Sequence, residues 1–497
     1  MARAPEAELE LDLVHLAKLI REGHATPQLM EQWLHATWRD PAGFRRALYR
    51  AGASQREAIK SRPEIGLDLY TDCIASHLGR NRTALVLVAE GSGATQEISY
   101  ETLHARSAAL ASTWLKAGVC TGDSLVVLAH VGLDYCVALL TGLRLGLCVT
   151  PIPPFGATYV RNRILLSAAD YVAANERSLH MVPDDVARLP LTAAAGADAT
   201  SSASHAYLPG DCALRLFSPF GLSGALYELD ARSLHEALLR DSMHVFALEV
   251  SDRLAAPGWD VLQLQPLALL TTWLAGAAWV ELTSNDLAAQ PGLLARCGVS
   301  VLGVDTRVRE IIREHGSECC RGVRSWFRSL TDRFDHEKWR TFSELLAQRD
   351  VLQFCLLYNA ATGGAQLFSA RAENDHTGRV WPVPARSFVI SQVGADVLPA
   401  LDATGVYTPL RGEEAELSLP RLVMAKLDEG WTSGGSIDVG PFARTLPADE
   451  ITTAAQHHAA VGAASLLVQP GRWPNEAHVN LLVFVREPDV DRGGLVR

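Results

Sequence analysis

The sequence predicts an α/β protein with a large doubly wound domain, and three observations carry that prediction. Short β-rich runs alternate with helical patterns from Thr83 onward, and the intervening helices are long enough to carry parallel crossovers. The 497-residue chain, 48% hydrophobic and 20% charged, has the length and composition for two or three domains with substantial cores.

Taken in order, Leu13, Leu16, Leu19 and Ile20, then Leu29, Trp33, Leu34 and Trp38, recur at helical spacing between Leu11 and about Ile59, with a break at Asp40-Pro41. This is a helical preface over residues 1–64, and it serves either to dock a partner or to pack as a hairpin on the main domain. The large domain is expected over 65–430. Its first βαβ units are strand Ala84–Val88, helix Tyr100–Ala117, strand Ser124–Ala129, helix Tyr135–Leu145 and strand Cys148–Ile152. After an Ala/Ser/Thr-rich linker at Leu191–Ser204 come strand Ala213–Phe217 and helix Asp230–His244. A strand around Val261–Leu264, helix Leu267–Ala275, strand Ala278–Leu282, helix Leu293–Cys297 and strand Ser300–Val304 follow. A Gly/Ser-rich break at Gly430–Val439 marks a hinge. Beyond it, over 431–497, helix Asp449–His458 and strands Ala464–Val468 and Val479–Val485 make a small α+β tail.

A formal net charge of -11 argues against a phosphate-backbone partner, so nucleic acid is set aside. The nine cysteines show no CxxC spacing and several sit in apolar runs, which points to buried reduced thiols and a cytoplasmic protein. Met1 leads into the acidic stretch Glu6 to Asp12, so no secretory signal is expected. The longest apolar windows, Val137–Val149 and Leu262–Val280, are interrupted by Arg144 or by Gln and Pro, and are expected to be core elements, with no membrane span.

The run Ile98-Ser99-Tyr100-Glu101-Thr102-Leu103, with Gly118-Val119, Gly122-Asp123, Leu143-Arg144-Leu145-Gly146, Pro151, Phe155-Gly156 and Arg163-Ile164, resembles the adenylate-forming superfamily, in particular its acetyl-CoA synthetase branch. The resemblance extends from about Leu67 to Val485. It implies a large doubly wound N-terminal domain and a small C-terminal α+β domain. It also implies an activity in which a carboxylic acid is joined to ATP with magnesium and the acyl group passes to coenzyme A or a carrier-borne phosphopantetheine. That chemistry needs a donor-lined phosphate loop, a metal to offset the phosphate charge and a cation near the acyl phosphate.

The positions matching those requirements depart from the family pattern. The phosphate loop matches Ser218-Pro219-Phe220-Gly221-Leu222-Ser223-Gly224, where Ser218, Gly221, Ser223 and Gly224 retain a turn able to aim N–H groups at an anion, but Pro219 removes a donor and no lysine follows. The aromatic-polar-Thr-Glu-Thr-Gly motif matches Tyr358-Asn359-Ala360-Ala361-Thr362-Gly363. Tyr358, Asn359, Thr362 and Gly363 persist, while methyl groups replace the phosphate-binding Thr and the magnesium-binding Glu. The ribose-binding Asp matches Gly435, with Asp438 as a displaced substitute or the hinge residue. No lysine follows Lys426, so the tail is expected to be truncated before the family's catalytic lysine.

Other constellations carry blander readings. His457-His458 are adjacent residues that diverge on a helix rather than a ligand pair, and Cys319-Cys320 beside Arg321 and Arg324 lack a partner histidine nearby in sequence. Asp332, Asp335, Glu337 and Lys338 form a solvated charged face. The expectation is a motif-degenerate acyl-CoA synthetase-like protein of a specialised-metabolite biosynthetic pathway. It would bind a small-molecule acid, an acyl thioester or a carrier protein, with ATP-dependent adenylation impaired or absent and no catalytic residue or metal site assigned. The alternatives are an active acid–CoA or acid–carrier ligase, and a pseudoenzyme scaffold for a paralogous synthetase.

Overall fold

The computed structural model describes residues 12–26, 29, 41–55, 61, 65–89, 91–199, 203–217, 226–259, 261–262, 264–329, 336–348, 351–359, 364–370, 381–382, 390–393, 422–427, 430–438, 445–446, 461–470 and 477–485. The chain packs as two units, one of Met1–Phe217 with Leu226–Arg386 and one of Ser218–Ala225 with Ser387–Arg497.

Two sheets build the first unit. The six-stranded sheet contains β3 (Ser124–Leu128), β4 (Cys148–Ile152), β5 (Tyr171–Ala174), β6 (Ala187–Pro190), β7 (Cys212–Phe217) and β8 (Leu226–Asp230) in the order β6-β5-β3-β4-β7-β8. All are parallel except β8, which returns antiparallel to β7. The nine-stranded sheet contains β1 (Thr83–Val88), β2 (Thr95–Ser99), β9 (Arg253–Ala255), β10 (Ala278–Glu281), β11 (Val301–Val304), β12 (Ser325–Ser329), β13 (Leu352–Asn359), β14 (Gly364–Ala370) and β15 (Trp381–Pro382). Its order is β15-β14-β13-β12-β11-β9-β10-β1-β2, with a parallel centre from β13 to β1 and antiparallel strands at both edges.

The helices are α1 (Leu13–Glu22), α2 (Pro41–Gln55), α3 (Leu69–Cys73), α4 (Tyr100–Lys116), α5 (Leu133–Leu145), α6 (Ala157–Ser167), α7 (Ala231–Arg240), α8 (Leu264–Leu274), α9 (Ser284–Ala289), α10 (Leu293–Arg296), α11 (Thr306–His315) and α12 (His336–Ala347). Their starts are written in the sequence. Asp12, Ser99, Asp230 and Asp305 each accept a hydrogen bond from an N–H two or three residues on, and Thr283 with Asp286 closes a reciprocal capping box. The centre of the parallel sheet is apolar at β3: Leu125, Val126, Val127 and Leu128 are all fully buried, as a strand covered on both faces requires.

Arg144 interrupts the apolar helix α5 without leaving the core. Its guanidinium donates to Tyr70 Oη at 2.8 Å and to the His104 carbonyl at 3.3 Å, and Nε donates to the Ala203 carbonyl at 3.1 Å. Among the described residues no helix is long and apolar enough to cross a membrane.

One expected element differs. The run Val261–Leu264 is not a strand, because Leu264 opens α8, with Pro266 in its first turn where a missing N–H costs nothing. A short apolar run has no periodicity to distinguish the two outcomes. In the second unit, β16 (Ile390–Val393), β17 (Leu422–Leu427), β18 (Gly430–Asp438) and β19 (Thr445–Leu446) form one sheet, and β20 (Val461–Pro470) pairs antiparallel with β21 (Ala477–Val485). The β17–β18 hairpin spans residue 430, where the sequence reading sets the hinge. The helix expected at Asp449–His458, with His457 and His458, lies outside the described residues, as do Asp332 and Asp335.

The helical preface packs on the first unit. From α2, Arg45 pairs with Glu236 at 2.5 Å and Tyr49 stacks on His235 with ring centroids 5.4 Å apart. Arg21 of α1 donates to Asp252, which lies just before β9 and is 3% exposed. Asp252 also accepts from Arg324 before β12, Ser300 before β11 and the Glu249 N–H. Burial alone would raise this carboxyl, but the two guanidinium groups and the N–H hold it well below the usual carboxylate range. A depressed folded-state pKa contributes stability that is fully present above the unfolded value, about 4, and is lost as pH falls below it. Asp252→Asn is therefore expected to destabilise the first unit by about 3–5 kcal/mol at pH 7. In urea titrations, the gap to wild type should be constant from pH 7 to about 4.5 and shrink only at lower pH.

Candidate functional site

Open α/β sheets bind ligands beyond the carboxyl ends of their strands, at the point where strand order reverses. In the nine-stranded sheet that point is β9: the chain crosses from β9 to β10 on one side, then returns to place β11 on the other. The loop after β9 runs through Pro257, Gly258 and Trp259. Gly258 has φ 87°, a left-handed backbone that favours glycine, and its Cα faces the Asp305 carboxylate at the end of β11. Trp259 lies against Gly303 of β11, where a Cβ would sit 2.6 Å from the indole, so only glycine permits this approach. The indole is 4% exposed and packs near Phe246, which contacts Phe327, which stacks on Phe354 at 4.9 Å. The crevice at the switch point thus holds the protein's own indole. Gln265 Nε2 donates to the Trp259 carbonyl at 3.0 Å, while the indole N–H and Gln265 Oε1 are buried without a partner among the described residues.

Val304, Asp305 and the end of β13 lie at this edge. Trp273 does not line it: it is fully buried in the core and its indole N–H donates to the Ala84 carbonyl at 3.0 Å. Trp259 lines it instead, and the Pro-Gly-Trp sequence just after β9 was the available signal.

The strongest motif of the sequence falls in the β13–β14 hairpin. Tyr358 pairs with Ala365 and Asn359 with Gly364, after an irregularity at Leu357/Tyr358. Tyr358 and Asn359 therefore end β13, whereas Thr362 and Gly363 lie outside the described residues. The start of β14 is fixed from the side by two residues that sequence reasoning missed. Asp241 Oδ2 accepts from the Ala365 N–H at 2.9 Å, and Arg240 Nη2 donates to the Ala365 carbonyl at 2.9 Å. Arg240 and Asp241 also pair with each other at 2.6 Å, and they are 3% and 1% exposed. Gly364 is required here, since a Cβ would sit 2.5 Å from Asp241 Oδ2. The pair occupies the junction of α7 with a π-helical turn, Asp241–Val245, a local widening that recurs at functional sites. A charged dipeptide inside the apolar run Ala237–Val245 was the signal in the sequence.

The phosphate-loop residues Ser218, Gly221, Ser223 and Gly224 lie outside the described residues, between β7 and β8, whose paired ends are Phe217 and Leu226. Asp438 ends β18 in the second unit and pairs with Thr445. Cys319 and Cys320 are buried, and Cys319 Sγ donates to the Gly316 carbonyl at 2.9 Å. No cluster of metal-ligating side chains occurs among the described residues.

A further titratable group, also missed, stands at the carboxyl end of β10. Burial pushes the Glu281 carboxyl up to about 7; donation from the Trp279 indole N–H at 2.8 Å acts against the shift, and Asp286 adds to it.

No protein-family model matches the sequence, and no curated protein is significantly similar to it. Solved structures share the fold. An acyl-CoA synthetase of Brucella canis matches over 88% of this chain and 88% of that one, with a TM-score of 0.58 at 16% identity. Apo MatB from Rhodopseudomonas palustris matches over 87% and 91%, with a TM-score of 0.56 at 15% identity. NpsA-ThdA, an artificially fused adenylation–PCP di-domain from Klebsiella oxytoca, matches over 86% and 82%, with a TM-score of 0.55 at 14% identity. The chain therefore has the α/β fold of the adenylate-forming enzymes, the class that holds acyl-CoA synthetases and adenylation domains.

Two outcomes are expected. Gly364→Ala should cost about 1–3 kcal/mol in urea unfolding by forcing apart the Asp241 and Arg240 contacts. For Glu281, the folded pKa is raised above the unfolded one, so its contribution is present below pH 4.5 and is lost as pH rises through 7. Glu281→Gln should accordingly gain Tm on wild type between pH 5 and pH 8; a gap that stays flat across that range would refute the assignment.

Proposed function

We propose that this chain is an acyl-CoA synthetase-like protein that binds a carboxylic acid, an acyl thioester or a carrier-protein partner, with ATP-dependent adenylation impaired or absent. The observation that carries the reading is Ala360-Ala361 between β13 and β14, with the start of β14 pinned by Arg240 and Asp241. The frame for a nucleotide motif is supported by a buried ion pair, while the side chains at its centre are methyl groups.

The residues present do not fit a magnesium–nucleotide complex. A hard cation needs oxygen ligands, and Ala360 and Ala361 supply none. Asp241, the carboxylate beside the hairpin, already accepts from Arg240 and from the Ala365 N–H. The phosphate loop between Phe217 and Leu226 carries Pro219 and no lysine. Losing one preorganised donor or cation costs about 10² to 10³ in rate, and several such losses compound even when they are not additive. Trp259, buried against Gly303 at the switch point, supports the same reading from the acyl side.

Calorimetric titration with ATP, with and without magnesium, tests this. Wild type is expected to show no magnesium-dependent binding. Ala361→Glu, which returns a carboxylate to the motif, should bring magnesium-dependent affinity up by about tenfold or more. Tight magnesium-dependent ATP binding by wild type, or acid-dependent pyrophosphate release, would sink the proposal and revive an active ligase.

A further inference from the structure

Several arginines in the first unit are well supplied with acceptors. Arg144 bonds to a phenol and two carbonyls, Arg240 to Asp241 and the Ala365 carbonyl, and Arg324 and Arg215 to carboxylates and carbonyls. Arg163 of α6 departs from this pattern. It is 9% exposed, its Nε is buried with no acceptor, and no carboxylate or carbonyl among the described residues pairs with its guanidinium. The group lies instead over two rings, with Cζ 3.7 Å from the Tyr159 centroid and 5.1 Å from that of Phe217. Among the described residues, Tyr159 is the one ionisable group acting on it, and burial pushes its pKa down.

Aromatic faces attract a guanidinium but accept none of its hydrogen bonds in the fork geometry that carboxylates and phosphates match. A desolvated cation held this way lacks a counter-charge. Its position indicates where one would arrive. Val160 and Ile164 of the same helix pack in one cluster with Leu128, Ile152 and Phe217, the last residues of β3, β4 and β7. The guanidinium therefore lies at the carboxyl edge of the six-stranded sheet, where α/β sheets take ligands. We propose that Arg163, held against Tyr159 and Phe217, is an oxyanion receptor that takes the phosphate or carboxylate of a small-molecule ligand. The site makes no use of the β13–β14 motif, so it holds whether or not a nucleotide binds there.

The test uses the full chain in scanning fluorimetry at fixed ionic strength, with inorganic phosphate, pyrophosphate and acetate as probes and chloride as control. Wild type is expected to show a saturable Tm rise with at least one oxyanion and none with chloride. A response to phosphate or pyrophosphate alone assigns a phosphate ligand, and a response to acetate alone assigns a carboxylate. Arg163→Met, which removes the unpaired cation at similar length, should melt higher than wild type in oxyanion-free buffer and lose the response; Arg163→Lys should keep a weaker one. The proposal is overturned if wild type shows no saturable response to any oxyanion, or if Arg163→Met or Arg163→Gln responds as wild type does.

Discussion

The hairpin that carries the most informative motif depends on one buried ion pair. Two charges taken out of water are stabilising only when their remaining donors and lone pairs are also bonded, and the Arg240–Asp241 pair meets that condition by using both polar groups of Ala365. The N–H of that residue goes to the carboxylate and its carbonyl to the guanidinium, so the strand is held in register from a helix end rather than only from its neighbours in the sheet. Gly364 follows from the same contact, since no side chain fits between it and Asp241. The position of this hairpin against α7 is therefore over-determined, even though Ala360 and Ala361 inside it carry no polar side chain.

The same helix ties the hairpin to the preface. Asp72 accepts from His235 Nε2 at 2.9 Å, and an ionised carboxylate can only accept, so Nε2 carries the proton and Nδ1 is left to accept from Tyr49 at 3.0 Å. Burial pushes the Tyr49 hydroxyl well above its ordinary value, which keeps it a donor. With Arg45 on Glu236 and Leu239 close against Gly52, α2 grips α7 within two turns of the Arg240–Asp241 pair. Asp252 does comparable work at the amino edge of the nine-stranded sheet, binding α1 to the approaches of β9, β11 and β12. Structural ties thus lie at the amino edge and around α7, while Trp259, Gln265 and Arg163, at the carboxyl edges, each hold a buried polar atom without a partner among the described residues.

The fold was legible because its signals are local and repeated. Alternating strand and helix patterns with their Asp, Ser and Thr caps located β1, α4, β3, α5, β4, β7, β10 and β11 within a residue or two. What escaped was of two kinds. Val261–Leu264 failed because a four-residue run with three apolar side chains carries no period, and Pro266 reads as a break unless it is known to sit in a first turn. Arg240, Asp241 and Trp259 failed because their significance lies in partners far along the chain: Ala365 is more than a hundred residues from Asp241, and Gly303 more than forty from Trp259. Sequence can show a charge in an apolar run, as it did for Arg144, but not which carbonyl will answer it.

The two halves of the candidate site differ in what they present to a ligand. At the β13–β14 hairpin the sequence places the methyl groups of Ala360 and Ala361 between the two paired strands. At the switch point the reverse holds: polar atoms are present and unpaired, but the volume is taken by Trp259 seated on Gly303. An acyl group entering that crevice has to displace an indole that packs near Phe246 and, through it, Phe327 and Phe354, which trades one apolar contact for another with little net gain. A ligand gains there mainly by pairing the indole N–H and the Gln265 carbonyl, each of which is otherwise buried without a partner among the described residues.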